Sequence, residues 1–569
     1  MDMARRIAMA RGEEHVDLLL KNARLVNVFS GEIHPASVAI HGDRIVGFGE
    51  YDAVETVDVE GRYLAPGFVD GHLHLESSML TLPEFARHVV PFGTTTVVAD
   101  PHEIANVMGL DGIRYILRSS EGIPLRVFIM FPSCVPATPF ETSGAELGPE
   151  DMEQFKDHER VLGLAELMNF PGVVNADPSV LAKIKVFEDK VLDGHAPGLS
   201  GKELTAYVTA GVGSDHECTT PEEAAEKLRM GMHIMIREGS AAKNLDALLP
   251  IVNEYNSRNC FFVTDDMDPR DITRRGHINS IVRKAIDKGL DPVRAIQMAS
   301  INPATYFGLH RTGAILPGYQ ADIVVLDDLT RIKINRVYQA GRLVARDGKM
   351  LVACETDADL EVPGSINVDW QKVQDLSIKP EGKSANIIQV IPGEIVTKRV
   401  IEEAPTSGGN VVTDPARDIL KIAVIERHKG TGAYAVGLIR GFGLKRGAVA
   451  CTVAHDSHNI IVVAENDDDM RMAAKEVADL GGGMIVVDGG EVRAKLSLPI
   501  AGLMSDRPLE EVSSGVDHVT KAAQDLGCEL EAPFATLSFM ALTPIPELRI
   551  TDQGLFDSLN FKFASLFEE

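Results

Sequence analysis

Three things are scarce in this sequence, and each scarcity excludes a class of protein. The six cysteines of the 569-residue chain are scattered without a CxxC pair, which indicates a reducing compartment rather than a disulfide framework. Basic residues are few, so the formal net charge of −27 argues against nucleic acid or an anionic membrane as a partner. The N-terminus is charged, and no apolar run has the length of a membrane span or signal peptide. We therefore expect a cytoplasmic protein with a small-molecule ligand.

The chain is long enough for several domains, and its composition changes along its length. Short strand patterns separated by Gly and Asp turns occupy residues 1–65 and return at 310–360, so the two pieces are predicted to pair as one small β-sandwich. A different α+β pattern fills residues 361–569, where two helical stretches end at glycine. Between these parts, residues 66–309 form the predicted catalytic domain.

The middle section alternates short apolar runs with helical patterns. Thr220 and Pro221, for example, provide an N-cap and a first-turn proline for one such helix. Eight alternating units predict an α/β fold that closes into a (β/α)8 barrel, with an open doubly wound sheet as the structural alternative. The eight predicted strands are "APGFVD", "TTTVVAD", "LRVFIMF", "VLGLAEL", "KVLDGH", "AYVTAGVGSDH", "MHIMIRE" and "CFFVTDD".

Two histidines stand one residue apart where the first barrel strand ends, in "PGFVDGHLHLESSM". Side chains at positions i and i+2 of a strand point to the same face, so His72 and His74 are expected to share the barrel mouth. An isolated HxH is more often a pair of unrelated loop histidines. What favours a metal site is that four further ligand-type residues end other strands of the barrel: Glu166, His195, His216 and Asp265. Six such ligands exceed what one tetrahedral ion uses, which favours a binuclear site bridged by a carboxylate and a hydroxide.

Several long runs are similar to one family. The pattern of barrel ligands resembles the amidohydrolase superfamily, and "VVADPHEIANVMG", "SCVPATPFETSGAEL", "LDGHAPGLSGKELTAYVTAGVGSDHECTT", "MIREGSAAKNL" and "TDDMDP" resemble the bacterial adenine deaminases in particular. The resemblance extends through the C-terminal domain and covers essentially the whole chain. It implies hydrolysis of adenine to hypoxanthine and ammonia in purine salvage. Many superfamily members carry a carboxylated lysine at the fourth strand, whereas this chain has Glu166, as the adenine deaminases do.

The resemblance also implies a division of the ligands between two divalent ions, Mn or Fe, with Zn as a further option. One ion takes His72, His74 and Asp265, and the other takes His195 and His216, with Glu166 between them. Asp266 competes with Asp265, which we favour because it comes first after the apolar run. Asp265 is then also the predicted catalytic residue, since it can take a proton from the attacking hydroxide and pass it on.

Other candidates have both a functional and a structural interpretation. His102 is predicted to polarise charge, shuttle a proton or bind metal, or else to be a structural loop histidine. Glu76 and Glu217 are acid candidates that could instead orient a neighbouring ligand. The predicted substrate contacts at the ends of two other strands are Arg237, Ser240 and Cys134, and the C-terminal cluster of His455, Asp456 and His458 could bind a further metal, close the barrel mouth from above or be a polar loop.

Two rival functions stay open on sequence alone. One is an amidohydrolase that acts on another aminated heterocycle or a cyclic amide, because the barrel supports all of these reactions. The other is a non-catalytic barrel that serves as a binding scaffold, with the C-terminal domain as an interaction module. A homodimer is expected for a soluble enzyme of this type.

Overall fold

The computed structural model describes residues 3–356, 362 and 364–568. The boundary predicted between residues 360 and 361 lies outside the described residues. Within them, no helix is both long and apolar enough to cross a membrane.

Strands from before and after the barrel form one nine-stranded sheet. The first piece contributes Val16–Asn27, Glu32–His41, Arg44–Phe48, Ala53–Asp58 and Tyr63–Pro66, and the second contributes Ile323–Asp328, Lys333–Gln339, Arg342–Arg346 and Lys349–Met350. The two pieces meet where Leu64 pairs antiparallel with Val325. The chain therefore leaves this sheet, builds the barrel and returns to the same sheet, as predicted.

Eight parallel strands surround the barrel axis. We label them β1 to β8: Phe68–Leu73, Thr94–Ala99, Arg126–Phe131, Val161–Leu167, Val191–Gly194, Ser214–Asp215, His233–Arg237 and Cys260–Val263. β1 to β5 pair in order in one sheet and β6 to β8 in another. The ring closes through a parallel bridge between Leu73 and Asp265 and a hydrogen bond from the Gly213 N–H to the Leu192 carbonyl of 2.9 Å. The barrel prediction is confirmed.

The helices between the strands follow the predicted alternation. They include Leu82–Val89, His102–Met108, Leu110–Ser119, Pro178–Val186, Gly201–Thr209, Pro221–Arg229, Pro269–Arg275, Ile278–Asp287, Pro292–Met298 and Ile301–Tyr306. The Thr220 side chain accepts a hydrogen bond from the Glu223 N–H, so the predicted N-cap is confirmed.

The predicted sixth strand was too long at its beginning. Residues 206–209 belong to the helix Gly201–Thr209, and the strand is only Ser214–Asp215. Leu204 and Tyr207 are buried on one face of that helix at a spacing of three, which is helical periodicity rather than strand alternation. The short strand still delivers His216 to the barrel rim.

The C-terminal part is a second nine-stranded sheet with helices packed on it. Its main strands are Ser384–Val390, Thr397–Glu403, Leu420–Ile425, Tyr434–Arg440, Ala448–Cys451, Ile460–Ala464, Gly483–Asp488 and Glu491–Ser497, and its helices are Asp467–Asp479, Leu509–Asp525 and Pro533–Phe539. This part lies against the barrel. The Ser505 N–H donates to the Met79 carbonyl at 2.8 Å, and the Leu509 N–H donates to Glu84 at 2.9 Å.

Candidate metal centre

The six predicted ligands lie together at the C-terminal rim of the barrel. Each follows or ends a parallel strand, so the fold carries their side chains to one place. Five of them are at most 5% exposed, and the His195 side chain is 13% exposed. The described residues thus bring together every ligand that the sequence predicted.

Glu166 lies at the centre of this cluster. Its Oε1 is 3.3 Å from His72 Nε2 and 3.0 Å from His74 Nε2. Its Oε2 is 2.7 Å from His195 Nδ1 and 3.4 Å from His216 Nε2. One carboxylate therefore faces two pairs of imidazoles, one pair through each oxygen.

Asp265 faces the first pair of histidines. Its Oδ1 lies 3.5 Å from His72 Nε2 and 3.2 Å from His74 Nε2. Its backbone is in the left-handed region, with φ of 56°, which aspartate tolerates better than most residues. In that conformation its N–H donates to the His72 carbonyl at 3.0 Å and its carbonyl accepts from the His74 N–H at 3.1 Å. The backbone of the eighth strand is therefore fastened to the HxH segment.

The competing residue Asp266 points differently. The Ser77 hydroxyl donates a short hydrogen bond to Asp266 Oδ1, while Asp265 Oδ2 accepts from Arg237 Nη1 at 2.6 Å. Burial and the charge of Asp265 both raise the pKa of Asp266. Asp266 does share a candidate cation group with His74 and Asp265, but only Asp265 faces both histidines of the first pair. The geometry favours Asp265 as the ligand.

The two buried carboxylates of the cluster, Glu166 and Asp265, are stabilised by positive charge close to them. Burial would raise the pKa of Glu166 and Asp265, but the cations around them, His216 and Arg237 foremost, hold both pKa values well below the usual range. Burial would lower the pKa of His72, but Asp265 and Glu166 raise it to about 10. Two buried carboxylates thus need either protons on the histidines or metal cations beside them.

The donor set fits divalent metal ions. His72 Nε2 and Glu166 Oε1 are buried, face each other, and have no hydrogen-bond partner among the described residues. His72, His216 and Asp265 form one group with ligand atoms close enough for a cation, and Glu166, His195 and His216 form another. Mixed imidazole nitrogen and carboxylate oxygen suits Mn, Fe and Zn alike.

His102 lies beside the metal ligands. Its Nδ1 is 2.9 Å from Asp100 Oδ2 and its Nε2 is 3.4 Å from Glu103 Oε1. Burial lowers the pKa of His102, but the charges of Asp100 and Glu103 outweigh it and hold the pKa well above the ordinary value. The imidazole is therefore oriented by one acid while its other face lines the cavity.

Glu76 and Glu217 occupy different surroundings. Glu76 Oε1 accepts a hydrogen bond from the Ile104 N–H at 2.9 Å, in the first turn of the helix that begins at His102. Burial, with the charge of Glu103, raises the pKa of Glu76 to about 7. Glu217 lines the cavity and accepts from Arg237 Nη2 at 3.1 Å. Glu76 thus supports the helix that carries His102, whereas Glu217 fixes Arg237.

Of the three predicted substrate contacts, only Arg237 lines the cavity in the described part of the chain. The Ser240 hydroxyl donates to Asp271 at 2.7 Å and accepts from the Asp268 N–H at 2.9 Å. Cys134 is buried with its Sγ 3.8 Å from the Glu166 carbonyl. Ser240 therefore fastens a loop and Cys134 packs behind the fourth strand, so neither reaches the space in which Arg237 lies.

The C-terminal domain covers the barrel mouth. Its contribution to the cavity is two polar residues, His455 and Asp456, and an apolar wall made of Ile395, Phe539, Leu542, Pro544 and Ile545. Glu103 joins the two domains: its Oε1 is 2.7 Å from His455 Nδ1, and its Oε2 makes a short hydrogen bond with His458 Nε2. Sequence reasoning missed Glu103, although an acid directly after a rim histidine was a signal.

At the cluster of His455, Asp456 and His458, the hydrogen bonds favour a link between the two domains over a further metal site. His458 Nδ1 accepts from the Ala454 N–H at 3.2 Å, so in the neutral imidazole the hydrogen lies on Nε2, which then donates to Glu103. The three residues Glu103, His455 and His458 also have the proximity that a cation needs. The predicted closure of the mouth from above describes this arrangement.

Two buried arginines anchor the covering segments. Arg427 donates to the carbonyls of His458, Ser365 and Ala501. Arg549 donates to four carbonyls, those of Ile395, Phe539, Ile545 and Pro546. Burial lowers the pKa of each to about 9. Arg549 thus organises the backbone of cavity-lining residues, and Arg427 the backbone of the segment that ends at His458.

Comparison with known proteins gives consistent matches. The model described as "Amidohydrolase family" matches residues 63–352, and that described as "Adenine deaminase C-terminal domain" matches residues 394–562. Proteins named adenine deaminase from Desulfatibacillum aliphaticivorans and Methanothrix thermoacetophila are each 51% identical, over 99% of this chain and 99% of their own length.

Solved structures match at lower similarity. A β-aspartyl dipeptidase from Fervidobacterium islandicum AW-1 is 16% identical with a TM-score of 0.46, covering 61% of this chain and 100% of that one. An atrazine chlorohydrolase from Arthrobacter aurescens TC1, complexed with zinc and atraton, is 14% identical with a TM-score of 0.46, covering 59% of this chain and 97% of that one.

Proposed function

This chain belongs to the adenine deaminase family of metal-dependent amidohydrolases, and from that premise we propose that it hydrolyses adenine to hypoxanthine and ammonia. The observation that carries the proposal is Glu166, whose two oxygens face two pairs of histidines at the rim of the barrel. The enzyme is a hydrolase that acts on a carbon–nitrogen bond. The cavity is lined by the ligand cluster and an apolar wall, which suits a planar base.

We propose that the ligands hold two divalent ions, Mn or Fe, with Zn as a further option. One ion would be held by His72, His74 and Asp265. The other would be held by His195 and His216, and Glu166 would contact both ions. When bound, such ions supply Lewis acidity that lowers the pKa of water and so provides a nucleophile near neutral pH. Glu166 reaches both halves without the carbon dioxide that a carboxylated lysine requires.

The chain's own residues handle the protons. The oxygen of water bonds to C6 of adenine, the bond from C6 to the amino nitrogen breaks, and ammonia leaves. One proton of the water ends on the leaving nitrogen and the other on the ring nitrogen beside C6. Asp265 Oδ1 is placed to take the proton that ends on the leaving nitrogen. Arg237 Nη1 holds the other oxygen of this carboxylate at 2.6 Å, which leaves Oδ1 free for this transfer.

His102 is the second proton-handling group in the proposal. It lines the cavity, and Asp100 fixes its Nδ1 at 2.9 Å, so Nε2, which lies 3.4 Å from Glu103 Oε1, is the nitrogen left to exchange a proton. Glu76 acts through His102 rather than on substrate, because it binds the Ile104 N–H in the same helical turn. Glu76 is therefore a positioning residue in this scheme.

A turnover assay tests the proposal. Protein loaded separately with Mn, Fe and Zn is incubated with adenine, and loss of the adenine ultraviolet band and release of ammonia are followed. We expect turnover with at least one metal, and a loss of about 10²- to 10⁴-fold in kcat for Asp265→Asn. No turnover with any of the three metals would contradict the proposal. Turnover of a cyclic amide or another aminated heterocycle in place of adenine would favour the rival amidohydrolase function.

We further propose a cytoplasmic homodimer that binds neither nucleic acid nor membrane. The formal net charge of −27 supports the absence of polyanionic partners. The dimer is supported by the frequency of twofold assemblies among soluble enzymes.

A further inference from the structure

One buried carboxylate in the cavity has no part in the mechanism above. Asp456 is 3% exposed, lines the cavity from the C-terminal domain, and its Oδ2 has no hydrogen-bond partner among the described residues. A buried acceptor without a partner is costly, so it demands an explanation.

Neighbouring residues do not supply that partner. His455 Nδ1 is 3.9 Å from Asp456 Oδ1 but only 2.7 Å from Glu103 Oε1, so Glu103 takes its hydrogen. His102 Nε2 is likewise 3.9 Å from Asp456 Oδ1 and 3.4 Å from Glu103 Oε1. The carboxylate therefore faces the cavity with capacity to accept a hydrogen bond.

His102 lies between Asp456 and Glu166, the carboxylate at the centre of the ligand cluster. His102 Nδ1 lies 3.9 Å from Glu166 Oε1, and the opposite nitrogen of the same ring lies 3.9 Å from Asp456 Oδ1. All three residues line the cavity, so a purine beside His102 with its six-membered ring towards Glu166 would have its five-membered ring towards Asp456. The apolar wall, including Phe539 and Ile545, suits the flat face of such a ring.

Free adenine carries one N–H on its five-membered ring, and adenines substituted at a nitrogen of that ring have none. We propose that Asp456 accepts the hydrogen bond from this N–H and thereby selects the free base over N-substituted adenines, nucleosides included. This inference rests on the proposed adenine deamination. Sites built to bond an N–H reject analogues that lack it strongly, because the buried acceptor is then left unpaired.

The test compares adenine with 7-methyladenine and 9-methyladenine, which both lack the donor but carry the methyl group at different positions. Values of kcat/KM, and dissociation constants from equilibrium dialysis, are measured for wild type, Asp456→Ala and Asp456→Asn. Asp552→Asn is the matched control, because Asp552 is a buried carboxylate of the same domain with an unpartnered Oδ2 that is outside the described cavity lining.

For Asp456→Ala we expect adenine to lose about 10- to 100-fold in kcat/KM and in binding, as for loss of a charge-assisted hydrogen bond. The methyladenines should lose little, so the preference for adenine should fall by the same factor. Asp456→Asn should show a smaller fall, Asp552→Asn none, and the metal content of all variants should match wild type. A ratio of enzyme activities is independent of the fraction of protein that folds.

An unchanged preference in both Asp456 variants would overturn the inference, whether the two substrates weaken together or not at all. Failure of the wild type to deaminate adenine would instead count against the proposed function. In that case the binding ratio from dialysis still decides the role of Asp456.

Discussion

Glu166 is the residue on which the proposed metal centre depends most. Its two oxygens contact both pairs of histidines, so an amide in its place would remove the charge that each ion needs. We expect Glu166→Gln to weaken metal binding by at least about 100-fold and to lose most of its metal, as measured by elemental analysis after dialysis. Glu76→Gln is the control, since Glu76 bonds the Ile104 N–H instead. Equal metal content in the two variants would contradict this role.

At the same scale, sequence predicted the ligands better than the cavity wall. His72 and His74 could be found because a spacing of two puts both on one face of a strand. Cys134 and Ser240 also follow strands, but residues beyond a strand end can turn either way, and neither side chain lines the described cavity. Glu103 and His455 are 352 residues apart, a separation across which local pattern predicts no contact.

At the scale of an element, the helix Pro221–Arg229 holds two of the ligand-bearing strand ends in place. Lys227 is fully buried and donates to the Ala196 carbonyl at 2.7 Å and to Asp215 at 3.1 Å. Ala196 directly follows His195, and Asp215 directly precedes His216. One ammonium therefore contacts both strand ends, one through the Ala196 carbonyl and the other through the Asp215 carboxylate.

Removing this ammonium leaves the buried Asp215 carboxylate without its cation, with only neutral donors such as the Ala196 and Glu217 N–H groups bonded to it. We expect Lys227→Met to destabilise the protein by about 3–5 kcal/mol, seen as a lower midpoint in thermal and urea unfolding. It should also weaken metal binding through displacement of the two histidines. Lys202→Met, at an exposed position on the preceding helix, should leave both measurements near wild type. Stability equal to that of the Lys202 variant would refute the anchoring role.

The sequence predicted this helix, but it did not predict that Lys227 contacts the two strand ends. The Thr220 cap and first-turn proline mark its start, and the helix begins there. The sixth strand was predicted too long for a related reason, because the short apolar run at residues 206–208 is compatible with either a helix face or a strand. Only packing decides between them, and Leu204 and Tyr207 pack as a helix.

At the scale of the whole molecule, a buried glutamate lies where the barrel and the C-terminal domain are in contact. Glu141, in the loop after the third barrel strand, accepts from the Thr138 N–H at 3.1 Å and from the Thr543 hydroxyl at 3.2 Å. Burial, with the charge of Asp456, raises its pKa from 4.5 to about 8. The folded protein therefore binds a proton that the unfolded chain releases, and this contribution to stability is present below about pH 4.5 and is lost as the pH rises to about 8.

A glutamine in place of Glu141 does not titrate, so the variant does not lose this contribution to stability as the pH rises. We expect Glu141→Gln to gain stability relative to wild type between pH 5 and pH 8, by a few kcal/mol, with no further gain at higher pH. Unfolding midpoints measured across this range provide the check, and Glu146→Gln, an exposed neighbour in the same loop, is the control. A difference between Glu141→Gln and wild type that does not change with pH would refute the role of this carboxyl.

The buried arginines bear on how the activity could be altered. Arg427 and Arg549 hold the covering segments through main-chain carbonyls, which every amino acid possesses. Side chains such as Leu542 and Ile545 can consequently be exchanged without removing the acceptors that fix the loops. The apolar cavity wall of the C-terminal domain is thus a suitable place to vary residues in a library that seeks new substrates, with both arginines kept constant.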